Sequence, residues 1–210
     1  MDTARKLEPE IIAAGGPRLD ELSYTVLDLE TTGGAPPEHR ITEVGAYRVE
    51  GMRVTERFHS LVNPGRSIPT FVSSLTGITN DMLKHSPPSG EVLRDLAQFT
   101  GDSIVVAHHS EFDLKFINHE LARAGQREIV NSDLCTCELA RRILPWLPSK
   151  SLGNLAGFFG IPMAKRHRAD EDALATAQLL IILLRYLMHR GITTFAQARQ
   201  FQSDLLNYPS

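Results

Sequence analysis

Asp28 and Glu30 lie two residues apart at the end of a short apolar run, Tyr24 to Leu29. Side chains alternate across a β-strand, so both carboxylates would project from the same face of such a strand. Two neighbouring carboxylates repel each other and are costly to bury unless a cation bridges them. The pair therefore indicates either a cation site or a solvated strand end.

Two further segments place acidic residues at predicted helix starts. Asp113 follows a buried, strand-like run and would lie in the first turn of a helix, where the dipole favours a carboxylate even in a simple cap. His167 and Asp172 are five residues apart, a rotation of about 500° on a helix, so they converge only if His167 lies on the entry loop. Asp170 and Glu171 are expected to be surface charges that complement the helix dipole.

Composition is that of an ordinary globular chain. The 210 residues are 42% hydrophobic and 22% charged, with a formal net charge of −3. Proteins that coat nucleic acid by bulk electrostatics are usually basic, whereas an enzyme that holds one strand end beside cations need not be. The sequence predicts no membrane span and no secretory signal. Cys135 and Cys137 are too close and too few for a disulfide framework, which favours a cytoplasmic location.

The spacing of apolar and turn-forming residues predicts an α/β domain with a mixed five-stranded sheet, in which three antiparallel strands precede alternating strands and helices. The predicted strands are 24–29, 41–49, 53–62, 103–108 and 127–130, and the predicted helices are 92–99, 112–124, 134–144, 152–159 and 169–188. Residues 1–22 are predicted to be a loosely attached, flexible leader. The domain is predicted to span 23–190, followed by an extension at 191–210 with one helix.

Together the acidic segments resemble the DEDDh class of 3′→5′ exonucleases, and in particular the epsilon-like proofreading subunits of bacterial DNA polymerase III. Asp-x-Glu-Thr-Thr-Gly from Asp28, Ala-His-x-x-x-Phe-Asp ending at Asp113, and His-x-Ala-x-x-Asp from His167 stand in the family order. Similar stretches between them extend the resemblance over about Tyr24 to Leu187. One departure is His109, where the family usually has Asn, and this change bears on substrate positioning.

The resemblance implies a ribonuclease-H-like fold, in which helices flank the sheet. It also implies two divalent cations, Mg²⁺ or Mn²⁺. Asp28, Glu30 and Asp172 would hold one cation, Asp28 would also reach the second, and Asp113 would complete the shell through water. His167 would be the general base. Carboxylate oxygens suit these hard cations, and no Cys/His cluster has zinc-ligand spacing along the chain. The implied activity is release of nucleoside 5′-monophosphates from the 3′ end of single-stranded nucleic acid, with DNA favoured.

Contacts to the terminal nucleotide are implied at Thr31, Leu75, Ile78, Thr79, His109 and Phe112. Thr31 could bond the terminal 3′ hydroxyl. Leu75 and Ile78 could wedge against the last base or could pack in the core. A basic cluster next to His167 comprises Lys165, Arg166 and Arg168. It could face phosphate or could be part of a solvated loop.

Two alternative functions stay open. The chain could be a small exoribonuclease of the same family, because discrimination of the 2′-hydroxyl depends on pocket shape. A nucleic-acid-binding module without catalysis is a different class, and it should have lost at least one of the five site residues, which are all present. Residues 191–210 are short for a tether to a DNA polymerase or sliding clamp, which favours a stand-alone or weakly tethered enzyme. The oligomeric state is open.

Overall fold

A computed structural model of the chain describes residues 16–164 and 167–203. The strands are β1 (Tyr24–Thr31), β2 (Ile41–Glu50), β3 (Arg53–Leu61), β4 (Ile104–Ala107) and β5 (Asp133–Cys135). The helices are α1 (Thr70–Thr76), α2 (Asn80–Lys84), α3 (Ser89–Thr100), α4 (Ser110–Arg123), α5 (Thr136–Ile143), α6 (Leu152–Phe159), α7 (Ala169–His189) and α8 (Phe195–Ser203).

The strands form one five-stranded sheet in the order β3-β2-β1-β4-β5. β1, β2 and β3 are antiparallel neighbours, whereas β4 pairs in parallel with β1 and β5 in parallel with β4. Gly51 and Met52 turn the chain between β2 and β3 with positive φ angles of 53° and 61°, the conformation that matches the twist of a two-residue hairpin. The predicted mixed sheet and α/β class are confirmed.

The fifth strand lies at Asp133–Cys135, so the prediction of a strand at 127–130 is wrong. Val130 is 87% exposed, whereas Leu134 is fully buried and pairs with Val106 of β4. A three-residue strand is too short to show its own periodicity, and the apolar residues that follow it read as one helix from residue 134. The sequence also did not indicate α1 and α2, which have only seven and five residues.

Helices cover both faces of the sheet, which gives the domain two apolar layers. On one face, residues of β1, β2 and β4 pack with α5, α6, α7 and α8; on the other face, alternate residues of the same strands pack with α3 and α4. By length and composition α7 could cross a membrane, yet it packs on β1 and β2. Its Leu180, Leu183 and Leu184 are fully buried, as expected for a core helix.

The described part of the predicted leader packs against the C-terminal region. Leu19 is fully buried, its N–H donates to the Thr193 carbonyl at 2.8 Å, and the Tyr24 hydroxyl donates to the Leu19 carbonyl at 2.8 Å. The prediction of a loosely attached leader is therefore wrong for this stretch, and residues 1–15 lie outside the described residues. α8 lies against β5, because the Gln202 amide oxygen accepts the Cys135 N–H at 2.7 Å.

Candidate active site

The carboxylates Asp28 and Glu30 leave β1 on the face that α7 covers. Their partners across the β1–β2 register are Gly45 for Asp28 and Glu43 for Glu30. A Cβ at Gly45 would lie only 2.3 Å from the Ala169 carbonyl oxygen, so the first turn of α7 rests directly on the β2 backbone. This close approach, which only glycine permits, brings the start of α7 over the Asp28 position.

Asp113 and Asp172 join these two carboxylates from the first turns of α4 and α7. Burial, together with the charges of Asp113, Asp172 and Glu30, raises the pKa of Asp28 well above its usual range. Burial and the charge of Asp172 likewise raise the pKa of Glu30 to about 7, and burial raises that of Asp113. Carboxylates that repel each other so strongly have the donor set and the electrostatics of a divalent-cation site.

His167 lies on the loop that enters α7, the placement that its five-residue spacing from Asp172 requires. Its backbone is left-handed, with φ of 61°, and its N–H donates to Asp172 Oδ2 at 3.2 Å. Ligand atoms of His167, Glu30 and Asp172 lie within 4.8 Å of one another. The structure thus brings together all five residues that the sequence singled out for cation binding and proton transfer.

Glu43 is a residue that the sequence analysis did not assign. It is fully buried, and its carboxylate accepts hydrogen bonds from Arg168 Nη2 at 2.6 Å, His59 Nε2 at 2.8 Å and the Ala169 N–H at 3.0 Å. Burial alone would raise the pKa of Glu43, but these bonds from His59, Arg168 and the Ala169 N–H outweigh it and hold the pKa at about 2. In the sequence, the signal that could have identified Glu43 is a charged residue inside an otherwise apolar strand.

Arg168 is therefore not part of a phosphate-facing patch or of a solvated loop, because its guanidinium faces Glu43. Lys165 and Arg166 lie outside the described residues. The prediction that Asp170 is a simple surface charge is also wrong. Asp170 accepts hydrogen bonds from Arg57 Nε and Nη2 at 2.7 Å and from the Tyr47 hydroxyl at 2.9 Å.

The implied contacts on α1 and α2 divide into exposed and buried residues. Leu75 is 52% exposed on α1, so its side chain is free to meet a base. Ile78 is fully buried with Ile68 and Leu83, which makes the prediction of a wedge at this position wrong and leaves core packing as its role. Thr79 caps α2, where its side chain accepts the Met82 N–H at 3.3 Å.

An open groove of about 830 Å³ runs past the start of α4, between the loop after β1 and α8. His109 and Phe112 both line it, together with Gly34, Lys115 and Gln202. Phe112 is 38% exposed, and therefore presents part of its ring to this groove.

The loop that forms one wall of the groove is fixed at both ends. The Thr31 hydroxyl donates to the Gly33 carbonyl at 2.7 Å, which leaves the Thr31 oxygen able to accept a hydrogen bond. At the other end, the Arg40 guanidinium pairs with the buried Glu120 carboxylate of α4, and the Arg40 N–H donates to Thr32 Oγ1 at 3.0 Å.

A second group of potential metal ligands lies close together in space, although its members do not have zinc-ligand spacing along the chain. Ligand atoms of His108, His109 and Cys137 lie within 4.8 Å of one another. However, both ring nitrogens of His108 already have partners, Thr136 Oγ1 at 2.9 Å and the Lys150 carbonyl at 2.7 Å. Burial also lowers the pKa of His108 to about 4. These contacts give His108 a structural role, in which it ties β4 to α5 and to the loop before α6.

Four carboxylates and a histidine on a mixed α/β fold define the DEDDh 3′→5′ exonucleases. Here the carboxylates come from β1, α4 and α7, and the histidine lies on the loop that enters α7. The sequence model of the exonuclease family (RNase_T) matches residues 25–180, and the chain belongs to this family. The Aquifex aeolicus DNA polymerase III subunit epsilon is 42% identical over 181 residues, which are 86% of this chain and 90% of that protein. The Bacillus subtilis PolC-type DNA polymerase III is 36% identical over 83% of this chain, which spans only 12% of that protein.

Solved structures agree on the fold. Exonuclease X in complex with 5′-overhanging duplex DNA is 25% identical, with a TM-score of 0.67 over 85% of this chain and 99% of that chain. The nuclease domain of 3′hExo, a DEDDh family member bound to rAMP, is 19% identical, with a TM-score of 0.66 over 78% of this chain and 92% of that chain. The ribonuclease-H-like fold and the 3′→5′ exonuclease class predicted from the sequence are confirmed. DEDDh exonucleases use divalent metal ions.

Proposed function

We propose that the chain removes nucleotides one at a time from the 3′ end of single-stranded DNA, releases nucleoside 5′-monophosphates and uses two Mg²⁺ or Mn²⁺ ions. The observation that carries the proposal is the convergence of Asp28 and Glu30 of β1 with Asp113 and Asp172 of the first turns of α4 and α7, with His167 beside Glu30 and Asp172. Such a group of carboxylates is costly to bury for structural purposes alone.

The donor set fits the proposed cations. Asp28, Glu30 and Asp172 supply carboxylate oxygens, the ligands that Mg²⁺ and Mn²⁺ prefer. Asp113 is proposed to complete the shell through a bound water; it is 4% exposed. When bound, the cations would supply the positive charge that activates the attacking water and stabilises the departing 3′ oxygen. Their binding would also relieve the repulsion among the carboxylates.

His167 is proposed to accept the proton of the attacking water. Water adds to the phosphorus that links the last two nucleotides, the bond from this phosphorus to the 3′ oxygen of the preceding nucleotide breaks, and that oxygen takes up a proton from solvent to become the new 3′ hydroxyl. A histidine changes its charge near neutral pH and suits this transfer. Its place on the entry loop puts the imidazole beside Glu30 and Asp172, at the edge of the carboxylate group rather than in its centre.

DNA is the proposed substrate because of two relatives. The 42% identical protein is a DNA polymerase III subunit, and the 25% identical structure contains duplex DNA with a 5′ overhang. In this chain, Leu75 is proposed to contact the terminal base, and the Thr31 oxygen is proposed to accept a hydrogen bond from the terminal 3′ hydroxyl. His109 and Phe112 are proposed to contact the strand along the groove. A cytoplasmic location and a weak association with a DNA polymerase or clamp are proposed on the same similarity.

The decisive assay follows release of mononucleotides from a 3′-labelled single strand, a mismatched duplex and a short RNA, with Mg²⁺, Mn²⁺ or EDTA. We expect the fastest release from single-stranded DNA and none in EDTA. Faster release from RNA would make the chain an exoribonuclease, and no release from any substrate would make it a binding module.

Replacing the proposed base tests its role separately. His167→Ala should lose about 10²–10⁴ in kcat while it binds Mn²⁺ as the wild type does, measured by calorimetry. Turnover near that of the wild type would reject His167 as the base. Loss of Mn²⁺ binding would make it a ligand instead.

A further inference from the structure

Glu43 lies next to the carboxylate group but is held by protein donors. As the cross-strand partner of Glu30, it leaves the same face of the sheet. Its oxygens accept hydrogen bonds from Arg168, His59 and the Ala169 N–H at distances of 2.6 to 3.1 Å. Any contribution of this carboxylate to the reaction is therefore exerted through the groups that it holds.

Two of those groups belong to the residues that follow His167. Glu43 fixes the side chain of Arg168 and the main chain of Ala169. On the other side of the same stretch, the His167 N–H donates to Asp172 Oδ2 at 3.2 Å. The main chain at 167–169 is thus attached to β2 at one end and to the first turn of α7 at the other.

The backbone of His167 requires such attachments. Its φ of 61° is a left-handed conformation, which residues with a Cβ adopt only where the surrounding contacts enforce it. Without the contacts of Arg168 and Ala169 to Glu43, the main chain would relax towards the common regions of φ and ψ. The imidazole would then leave its position beside Glu30 and Asp172.

We propose that Glu43 and Arg168 are positioning residues, an ion pair that holds the His167 loop in the conformation in which the imidazole can accept a proton. The proposal rests on the proposed function, because it gives the pair no role if His167 is not the base. Neither residue is proposed to touch the substrate or a cation. Their effect should therefore appear in kcat and not in KM.

Arg168→Gln is the first test, because the Arg168 side chain is 23% exposed and the change leaves a polar group at the surface. Loss of a group that orients a reacting residue lowers rates by about 10–100-fold, and kcat should fall by this factor. KM and Mn²⁺ affinity should stay within about twofold, because Arg168 is not proposed to touch the substrate or a cation. Arg168→Lys should recover only part of the rate, because an ammonium cannot form the two-point contact with Glu43.

Arg57→Gln is the matched control. It removes the ion pair with Asp170 in the same turn of α7 but leaves the contacts of residues 167–169 intact, so kcat should stay near that of the wild type. An equal loss of kcat in both variants would show general weakening of the helix start and overturn the proposal. A raised KM with unchanged kcat in Arg168→Gln would make Arg168 a substrate contact and overturn it as well.

The double variant His167→Ala/Arg168→Gln separates positioning from a structural role. If Arg168 acts through His167, adding Arg168→Gln to His167→Ala should change kcat by less than about twofold, because interacting residues are not additive. Losses that multiply would overturn the proposal. Wild-type kcat in His167→Ala alone would reject His167 as the base and with it the role of the pair, whereas no release by the wild type in either metal would reject the proposed function. Should Arg168→Gln fail to fold, Glu43→Gln takes its place in each comparison, with the same outcomes decisive.

Discussion

Gly45→Ala should displace the start of α7 and with it the active site. The added methyl would lie 2.3 Å from the Ala169 carbonyl oxygen, 2.4 Å from its carbon and 2.5 Å from the Asp170 nitrogen. All three are backbone atoms, so no side chain can rotate away. Ordinary van der Waals contact begins at 3.4 Å, so the first turn of α7 must retreat by roughly 1.1 Å.

Both stability and rate should respond to this displacement. Overpacking of this kind destabilises a protein by about 1–3 kcal/mol, which for a chain of this size lowers Tm by roughly 2–4 °C per kcal/mol. The displaced turn carries Asp172 and follows the His167 loop. Because a misplacement of about 1 Å can cost about 10²-fold in rate, kcat should fall by about that factor, more than the loss of stability explains.

The measurement combines thermal unfolding with mononucleotide release from single-stranded DNA, at a temperature where both proteins are folded. Gly157→Ala is the control, because nothing lies within 4 Å of a Cβ at Gly157 and alanine favours a helix by up to ~1 kcal/mol. Wild-type Tm and kcat in Gly45→Ala would refute the close packing of α7 on β2. A lowered Tm with unchanged kcat would refute the link from that packing to the site.

Two further predictions concern the charge and the surface of the site. In EDTA, the free energy of unfolding of the wild type should fall relative to that of Glu30→Gln as the pH rises from about 4.5 to about 7. Burial raises the pKa of Glu30 from 4.5 to about 7, so the folded state binds the proton more tightly than the unfolded state in this window. Urea unfolding measures the difference, and a relative increase in the free energy of unfolding as the pH rises would contradict the prediction. Leu75→Ala should raise KM for an oligonucleotide without lowering Tm, because Leu75 is 52% exposed, whereas Ile78→Ala should lower the free energy of unfolding by about 2–5 kcal/mol. Steady-state kinetics and thermal unfolding measure these effects. A lowered Tm in Leu75→Ala together with a raised KM in Ile78→Ala would contradict the roles given to the two residues.

Elements with a strong local signal were predictable from the sequence. α6 has the predicted bounds, 152–159, because Gly160 ends it with a left-handed residue. The hairpin of β2 and β3 followed from its two strand-like runs and from the glycine in the turn between them. β5 was missed, because three residues that pair with a distant strand carry no local period. Its position depends on the parallel pairing with β4, which only the folded sheet defines.

The candidate site shows the same division between local and long-range information. The convergence of Asp28, Glu30 and Asp172 followed from strand alternation and helix geometry together with the family resemblance. The contact between Glu43 and Arg168 joins residues 125 positions apart, so no local pattern contains it. Ile78 is flanked by Gly77 and Thr79, neighbours that fit either a core or a surface contact, and its burial was decided by the way α1 and α2 pack.

We propose that the carboxylate group around Asp28 forms a cation-dependent 3′→5′ exonuclease site. The most direct measurement is the time course of products from a single strand of DNA labelled at its 5′ end, for the wild type and Asp28→Ala, with Mg²⁺, Mn²⁺ or EDTA. We expect a ladder that shortens from the 3′ end in either metal, and an intact strand in EDTA and for Asp28→Ala in every condition. Manganese-supported shortening by Asp28→Ala, or shortening by the wild type in EDTA, would contradict it.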